Sequence, residues 1–141
     1  MIIKQLSVFL ENKSGRLTEL TDILGNADVN LSALSIADTS EFGIIRMVVS
    51  DPEKGLQVLK DNKFSVSLTD VICLSTPNQP GSLARALELF SANDISVEYM
   101  YAFSMDEKAL VVIRTEENEK AVNILKDNEV EMLNASELYN I

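Results

Sequence analysis

Apolar and polar residues alternate from Lys4 to Leu10, with Leu6, Val8 and Leu10 on one face, which predicts a strand. Asn12 to Gly15 is turn-forming. From Gly15 to Ala27 the spacing lengthens, and Leu17, Leu20, Ile23, Leu24 and Ala27 make one stripe of an amphipathic helix. Val29 to Ala37 and the β-branched stretch Ile44 to Val49 predict two further strands. Asp51-Pro52 supplies a helix N-cap and a proline at the first helical position, and Leu56, Val58 and Leu59 follow. Phe64 to Thr69 reads as a fourth strand. The order is β-α-β-β-α-β, in which two helices cover one face of an antiparallel sheet.

The series then recurs. A shift of 66 residues lays the chain on itself without a gap, with eleven identities between residues 3–72 and 69–138. Asn12, Gly15 and Leu17 fall on Asn78, Gly81 and Leu83, and Leu59-Lys60-Asp61-Asn62 falls on Leu125-Lys126-Asp127-Asn128. In the second copy Leu83, Ala86, Leu87 and Phe90 form the helical stripe, and Pro80 suits the first helical position. Ile95 to Phe103, Ala109 to Thr115 and Val130 to Ala135 are the matching strands, with a helix through Val122, Ile124 and Leu125. The expected fold is α+β. It has two ferredoxin-like βαββαβ modules, residues 1–68 and 69–141, with antiparallel sheets and helices on one face, paired with each other or across a dimer. No linker separates them, since the fourth strand of the first copy runs into the first strand of the second near Thr69 to Ile72.

The middle strands are apolar on both faces. Val29, Leu31 and Ala33 oppose Leu34 and Ile36, and Tyr99, Tyr101 and Phe103 oppose Met100. A sheet with one solvated face should alternate cleanly. Either the helix-free face is covered by the other copy or another chain, or a bulge in the second strand flips the register.

Composition narrows the function. Of the 141 residues, 46% are hydrophobic, with no His and one Cys, so the chain is globular, and a reducing cytoplasm is the expected location. No apolar run is long enough to cross a membrane, and Met1 to Phe9 lacks the features of a secretory signal. The net charge of −10 opposes nucleic-acid and anionic-membrane binding. RNA-recognition modules share this element order, but strands Ile44 to Val49 and Leu110 to Arg114 lack the stacking aromatics those modules need. Without His the usual acid–base group is missing. Cys73 lies in an apolar strand and reads as a buried thiol. There is no nucleophile elbow, phosphate loop or zinc cluster, so neither catalysis, a cofactor nor a metal is expected.

What remains is a strand–turn–helix junction present twice, Asn12-Lys13-Ser14-Gly15 and Asn78-Gln79-Pro80-Gly81. Glycine admits backbone conformations closed to other residues, and free amides at a helix N-terminus attract a carboxylate. Asparagine offers both a donor and an acceptor, as an α-amino acid requires. The plain alternative is that each is only a turn.

The pattern Asn-x-(Ser/Pro)-Gly-x-Leu after strand one, followed by Asp28-Val29-Asn30-Leu31 after the helix, resembles the ACT-domain family over nearly the whole chain. The resemblance implies regulatory modules that bind amino acids between paired modules, at the strand-one/helix-one loop with help from strand two, often as dimers and without catalysis. Carried over by position, the implied ligand-binding residues are Glu11, Asn12, Lys13, Ser14, Gly15, Arg16, Leu17, Asn30 and Leu31 in the first copy. In the second they are Asn78, Gln79, Pro80, Gly81, Ser82, Leu83 and Ser96. Serine-sensing members carry a His two residues before the loop Asn, and this chain has Leu10 and Thr76 there. Lys13 and Arg16 make the first loop the expected home of a carboxylate. The expected protein is a tandem amino-acid sensor, a homodimer acting on a regulated partner protein. The alternatives are a ligand-free dimerisation scaffold or a small metal-binding protein or enzyme using its carboxylates.

Overall fold

The computed structural model describes residues 1–38 and 41–141. It divides into two compact units, one of Lys4–Thr69 with Leu138–Ile141, the other of Asp70–Glu137 with Met1–Ile3. We call them module one and module two.

Module one contains β1 (Ile3–Glu11), α1 (Arg16–Asn26), β2 (Leu31–Asp38), β3 (Phe42–Val49), α2 (Pro52–Asp61) and the first part of β4 (Ser65–Pro77). Its strands lie in the order β2-β3-β1-β4, with β3 antiparallel to both β1 and β2. Asp51 caps α2 by accepting from the Lys54 amide at 3.1 Å, and Pro52 begins the helix. The helix-covered face of the sheet supplies Leu6, Val8, Leu10, Ile45 and Met47 to a core closed by Leu20, Leu24, Leu59 and Phe64. At Gly55 helix α2 approaches β1 so closely that a Cβ would stand 2.8 Å from Leu6 Cδ1. Hydrogen bonds tie residues 138–141 to this module, among them one from the Tyr139 hydroxyl to the Lys4 carbonyl at 3.1 Å. The Tyr139 hydroxyl accepts from the Lys4 amide at 2.8 Å, and the Ser32 hydroxyl donates to the Ile141 carbonyl at 3.4 Å.

Module two contains the rest of β4, α3 (Ser82–Ser91), β5 (Val97–Met105), β6 (Lys108–Thr115), α4 (Asn118–Asp127) and the start of α5 (Ala135–Tyr139). Its strand order is β4-β6-β5, all antiparallel. Ile72, Leu74, Val111 and Ile113 meet Ala86, Phe90, Ala121 and Leu125 in its core. The 66-residue repeat extends to the backbone. Positive φ recurs at Asp28 and Asp94 and at Lys63 and Glu129, as it does at Gly15 and Gly81.

The doubly apolar second strands have a local cause. The register shifts between Leu31 and Ala33, and again between Val97 and Tyr99. Beyond the bulge Leu34 pairs with Met47 and Ile36 with Ile45, on the helix side, while Ala33 and Ser35 turn to the other face. The helix-free face is also buried in part, although Phe9 and Phe42 on it stay exposed. Val48, Val71, Cys73, Leu110 and Val112 lie outside the two helix-covered cores and are at most 1% exposed.

Two expectations need correction. Residues 130–135 do not form a fourth strand in module two. One bridge, Leu74 to Met132, is made before Asn134 and Glu137 cap each other across the start of α5 and turn the chain. Pro80 is not the first helical residue either, because the left-handed Gly81 is the N-cap and α3 begins at Ser82. Among the described residues no helix is long and apolar enough to cross a membrane.

Candidate functional site

Both Asn-x-x-Gly loops fold alike. The Asn12 amide donates to the Glu41 carbonyl at 2.9 Å, and the Asn78 amide donates to that of Glu107 at 2.8 Å. Arg16 N bonds the Lys13 carbonyl and Ser82 N that of Gln79, each at 3.2 Å, which closes the turn. Gly15 and Gly81 then take φ of +87° and +85°, the left-handed region that glycine alone enters without strain. Neither α1 nor α3 receives a side-chain cap, so both present amides at their N-termini.

The surroundings of the loops differ. In loop one both cations are engaged. Lys13 Nζ is 2.9 Å from Glu11 Oε2, and its hydrogen bond and charge hold the Glu11 carboxyl below the ordinary value. Arg16 Nη1 donates to Glu19 Oε2 at 2.8 Å while its guanidinium lies 4.3 Å over the Phe64 ring. Both cations of loop one thus already have a carboxylate neighbour, in pairs that are themselves partly solvent-exposed. Ser14 and Leu17 are exposed beside them.

Loop two opens onto two concavities. One, of about 590 Å³, is lined by Ser75, Asn78, Gln79, Glu107, Lys108 and Glu131, among others. Lys108 Nζ reaches both Glu131 oxygens at 3.0 Å there, and the Ser75 hydroxyl is buried without a partner. The other, of about 490 Å³, runs from Thr76 past Ser82 and Arg85 to Glu129. Arg85 Nη2 donates to Ser82 Oγ at 3.2 Å, and a Cβ on Gly81 would stand 3.0 Å from Arg85 Nη1. Pro80 is exposed at the loop tip, and Leu83 packs into the core of module two.

Asn30 and Ser96 do not join the loop of their own module. Leu31 pairs with Val49 while Glu11 pairs with Phe42, at opposite ends of β3. At ~3.4 Å per residue those ends are about 24 Å apart. Val97, opposite Thr115, and Pro77, opposite Lys108, separate Ser96 from loop two in the same way. Within its module the Asn30 backbone N–H donates to Ser50 Oγ at 2.9 Å and its carbonyl accepts from the Ser50 N–H at 2.9 Å. Sequence reasoning did not single out Ser75, Glu131 or Val130. The signal was present in the repeat, which sets Thr76 against Leu10 and Val130 against Phe64. Among the described residues no group of three or more Cys, Asp or Glu is placed to hold a metal ion.

Comparison with known proteins agrees with this architecture. The family model described as an ACT domain pair matches residues 1–141. The chain is similar to the crystal structure of protein BT0572 from Bacteroides thetaiotaomicron, with a TM-score of 0.97 and 51% identity over 100% of this chain and 98% of that one. It shares its fold with the ligand-free regulatory subunit of aspartate kinase from Thermus thermophilus, at a TM-score of 0.68 and 12% identity over 88% of this chain and 91% of that one. The regulatory subunit of aspartate kinase from Thermus flavus matches at a TM-score of 0.60 and 14% identity, over 90% and 94% of the two chains. Among curated proteins none matches.

Proposed function

Because the chain belongs to the ACT-domain family, as a domain pair running through residues 1–141, we propose that it is a regulatory binding protein for a free amino acid and not an enzyme. The observation that carries this is the repeated junction: an Asn, a left-handed Gly and an uncapped helix N-terminus, twice. Uncapped amides receive a carboxylate, and the loop Asn can meet an ammonium or a side chain. Loop two is the better furnished, because concavities open beside it and Arg85 there is not held by an acidic side chain. Ligand would act by favouring one arrangement of modules or chains, to the extent that it binds that arrangement more tightly. The output passes to a partner protein in the cytoplasm.

A homodimer accompanies this reading. Phe9 (50% exposed) and Phe42 (38% exposed) stack with centroids 5.0 Å apart on module one, where the repeat places Ser75 and Lys108 in module two. Sedimentation velocity should show a dimer, and a monomer at every concentration would remove this part of the reading.

The function itself is tested by a thermal-shift scan of the full chain against the twenty amino acids at millimolar concentration. Ligand at a hundred times its Kd adds about 2.7 kcal/mol, a rise of several degrees for a chain this size. A shift with one or a few amino acids, lost in Asn78→Ala, establishes the sensor. A flat panel on protein shown to be ligand-free sinks it and leaves the scaffold reading.

A further inference from the structure

We propose that module two holds a ligand cleft of its own, between the end of β4, the first turns of α3 and the segment after α4, and that it takes an α-amino acid with a short apolar side chain. The proposal rests on the amino-acid reading and goes beyond it by placing a complete site inside one module rather than between paired ones.

Module one shows what the cleft would be if filled. The repeat sets Leu10 against Thr76, Arg16 against Ser82, Glu19 against Arg85 and Phe64 against Val130. In module one Phe64 is 5% exposed within the core, and the Arg16 guanidinium carbon stands 4.3 Å over its ring while pairing with Glu19. Phe64 and the guanidinium over it occupy the space under the start of α1 as a plug, and Glu19 holds that guanidinium from the surface. In module two each of the three is replaced by a smaller or oppositely charged residue, and about 490 Å³ stands open.

The walls are polar at one end and apolar at the other. Thr76 is 6% exposed and lies on the helix-covered face with Leu74, yet its side chain makes no hydrogen bond among the described residues. Its hydroxyl therefore remains available to a group bound in the cleft. Ser82 is 5% exposed and accepts from Arg85, whose guanidinium has no carboxylate partner among the described residues. Arg85, Ser82 and Thr76 therefore converge as donors suited to a carboxylate. Glu131 and Glu129 line the same cleft and suit an ammonium. The Glu131 pair with Lys108 is solvent-exposed, so it competes weakly for that carboxylate. Ala86, Leu89 and Val130 form the apolar wall that a short side chain would meet. The two acids disfavour a phosphate or a dicarboxylate.

The test titrates the full chain by calorimetry with L-alanine, L-valine, isovalerate and isobutylamine, after the twenty-amino-acid panel. L-valine or L-alanine should bind and the two single-charge analogues should not. Arg85→Gln should raise Kd at least tenfold, Val130→Phe should abolish binding by restoring the plug, and Lys60→Gln on α2 should change nothing. An unliganded melting temperature within a few degrees of the parent shows that Val130→Phe folds. If it fails to fold, Arg85→Gln and Thr76→Val decide. An amino acid whose Kd ignores Arg85→Gln and either partner variant sits elsewhere, which overturns the cleft and leaves the sensor reading intact. Equal binding of isovalerate overturns the ligand class. A panel in which none of the twenty binds overturns both.

Discussion

The two modules keep the same backbone punctuation and differ in what they put beneath their first helix. Left-handed residues, bulges and loop bonds recur at a 66-residue interval. The side chains they frame do not. Module one closes the space with an aromatic ring, a stacked guanidinium and an ion pair, and module two leaves hydroxyls, an arginine and a void. Backbone geometry constrains a repeat more tightly than core identity does, because a misplaced turn disrupts the whole module whereas an altered side chain is absorbed locally. One copy can then serve as the packed scaffold while the other keeps a recess.

The largest expected effect tests the plug itself. Phe64→Val should cost roughly 2–3 kcal/mol, since it removes a buried ring and strands Arg16. Val130→Phe in module two should cost less than half of that, because it fills existing space. Urea unfolding of both variants measures the contrast, and equal losses would end it.

A second contrast lies on the helix-free face, where the repeat sets Ser7 against Cys73. Ser7 Oγ and Thr69 Oγ1 are 2.7 Å apart, whereas Cys73 is fully buried and burial pushes its thiol from 9.0 up to about 12. Burial therefore favours the neutral thiol. Its contribution is whole below pH 9 and is lost as pH rises toward 12, at up to about 1.4 kcal/mol per unit. Stability at pH 10.5 relative to pH 7 should fall by about 2 kcal/mol more in the parent than in Cys73→Ala. Identical profiles would show that the thiol is not insulated.

Smaller effects should sharpen the likeness rather than the difference. Gly15→Ala and Gly81→Ala should each lose about 1 kcal/mol, the cost of a Cβ in the left-handed region. Only Gly81→Ala should also weaken amino-acid binding, by displacing Arg85 Nη1. The smallest effect belongs to loop one. In Lys13→Gln the Glu11 carboxyl should return upward toward its ordinary value in an NMR titration. Because the folded value is the lowered one, whatever the pair contributes is present at pH 7 and is lost as pH falls through the carboxylate range, so any stability difference between parent and variant should show at pH 7 and vanish in acid.

Much of the fold was legible because its signals are local. Alternation at Leu6, Val8 and Leu10, the Asp51-Pro52 start and the repeated Asn-x-x-Gly each act within a few residues. The bulge beside Ala33 was half-legible. Two-sided apolarity announced an irregular second strand, but only hydrogen-bond register shows the flip, which falls between Leu31 and Ala33. The false fourth strand at Val130 to Ala135 came from trusting the repeat over Asn134 and Glu137, a capping pair readable in the sequence. In the candidate site the loops were legible and their occupancy was not. Lys13 and Arg16 looked available because Glu11, Glu19 and Phe64 become their partners only after folding. The cleft beside Arg85 came from several substitutions, each visible alone, whose combined missing volume exists only once α3 packs.

The exchanged chain ends carry a consequence for synthesis. Tyr139 bonds Lys4 across 135 positions, and Leu138–Ile141 belong to the module that begins at Lys4. As the chain emerges from the ribosome, the module made first waits for residues 138–141, which follow the whole of module two. Module two, whose strands and helices run without interruption from Asp70, needs only Met1–Ile3 from the earlier part of the chain, and those are already waiting. The older half of the nascent chain is thus the later one to mature, and removal of residues 138–141 would be felt around Lys4, far away in sequence.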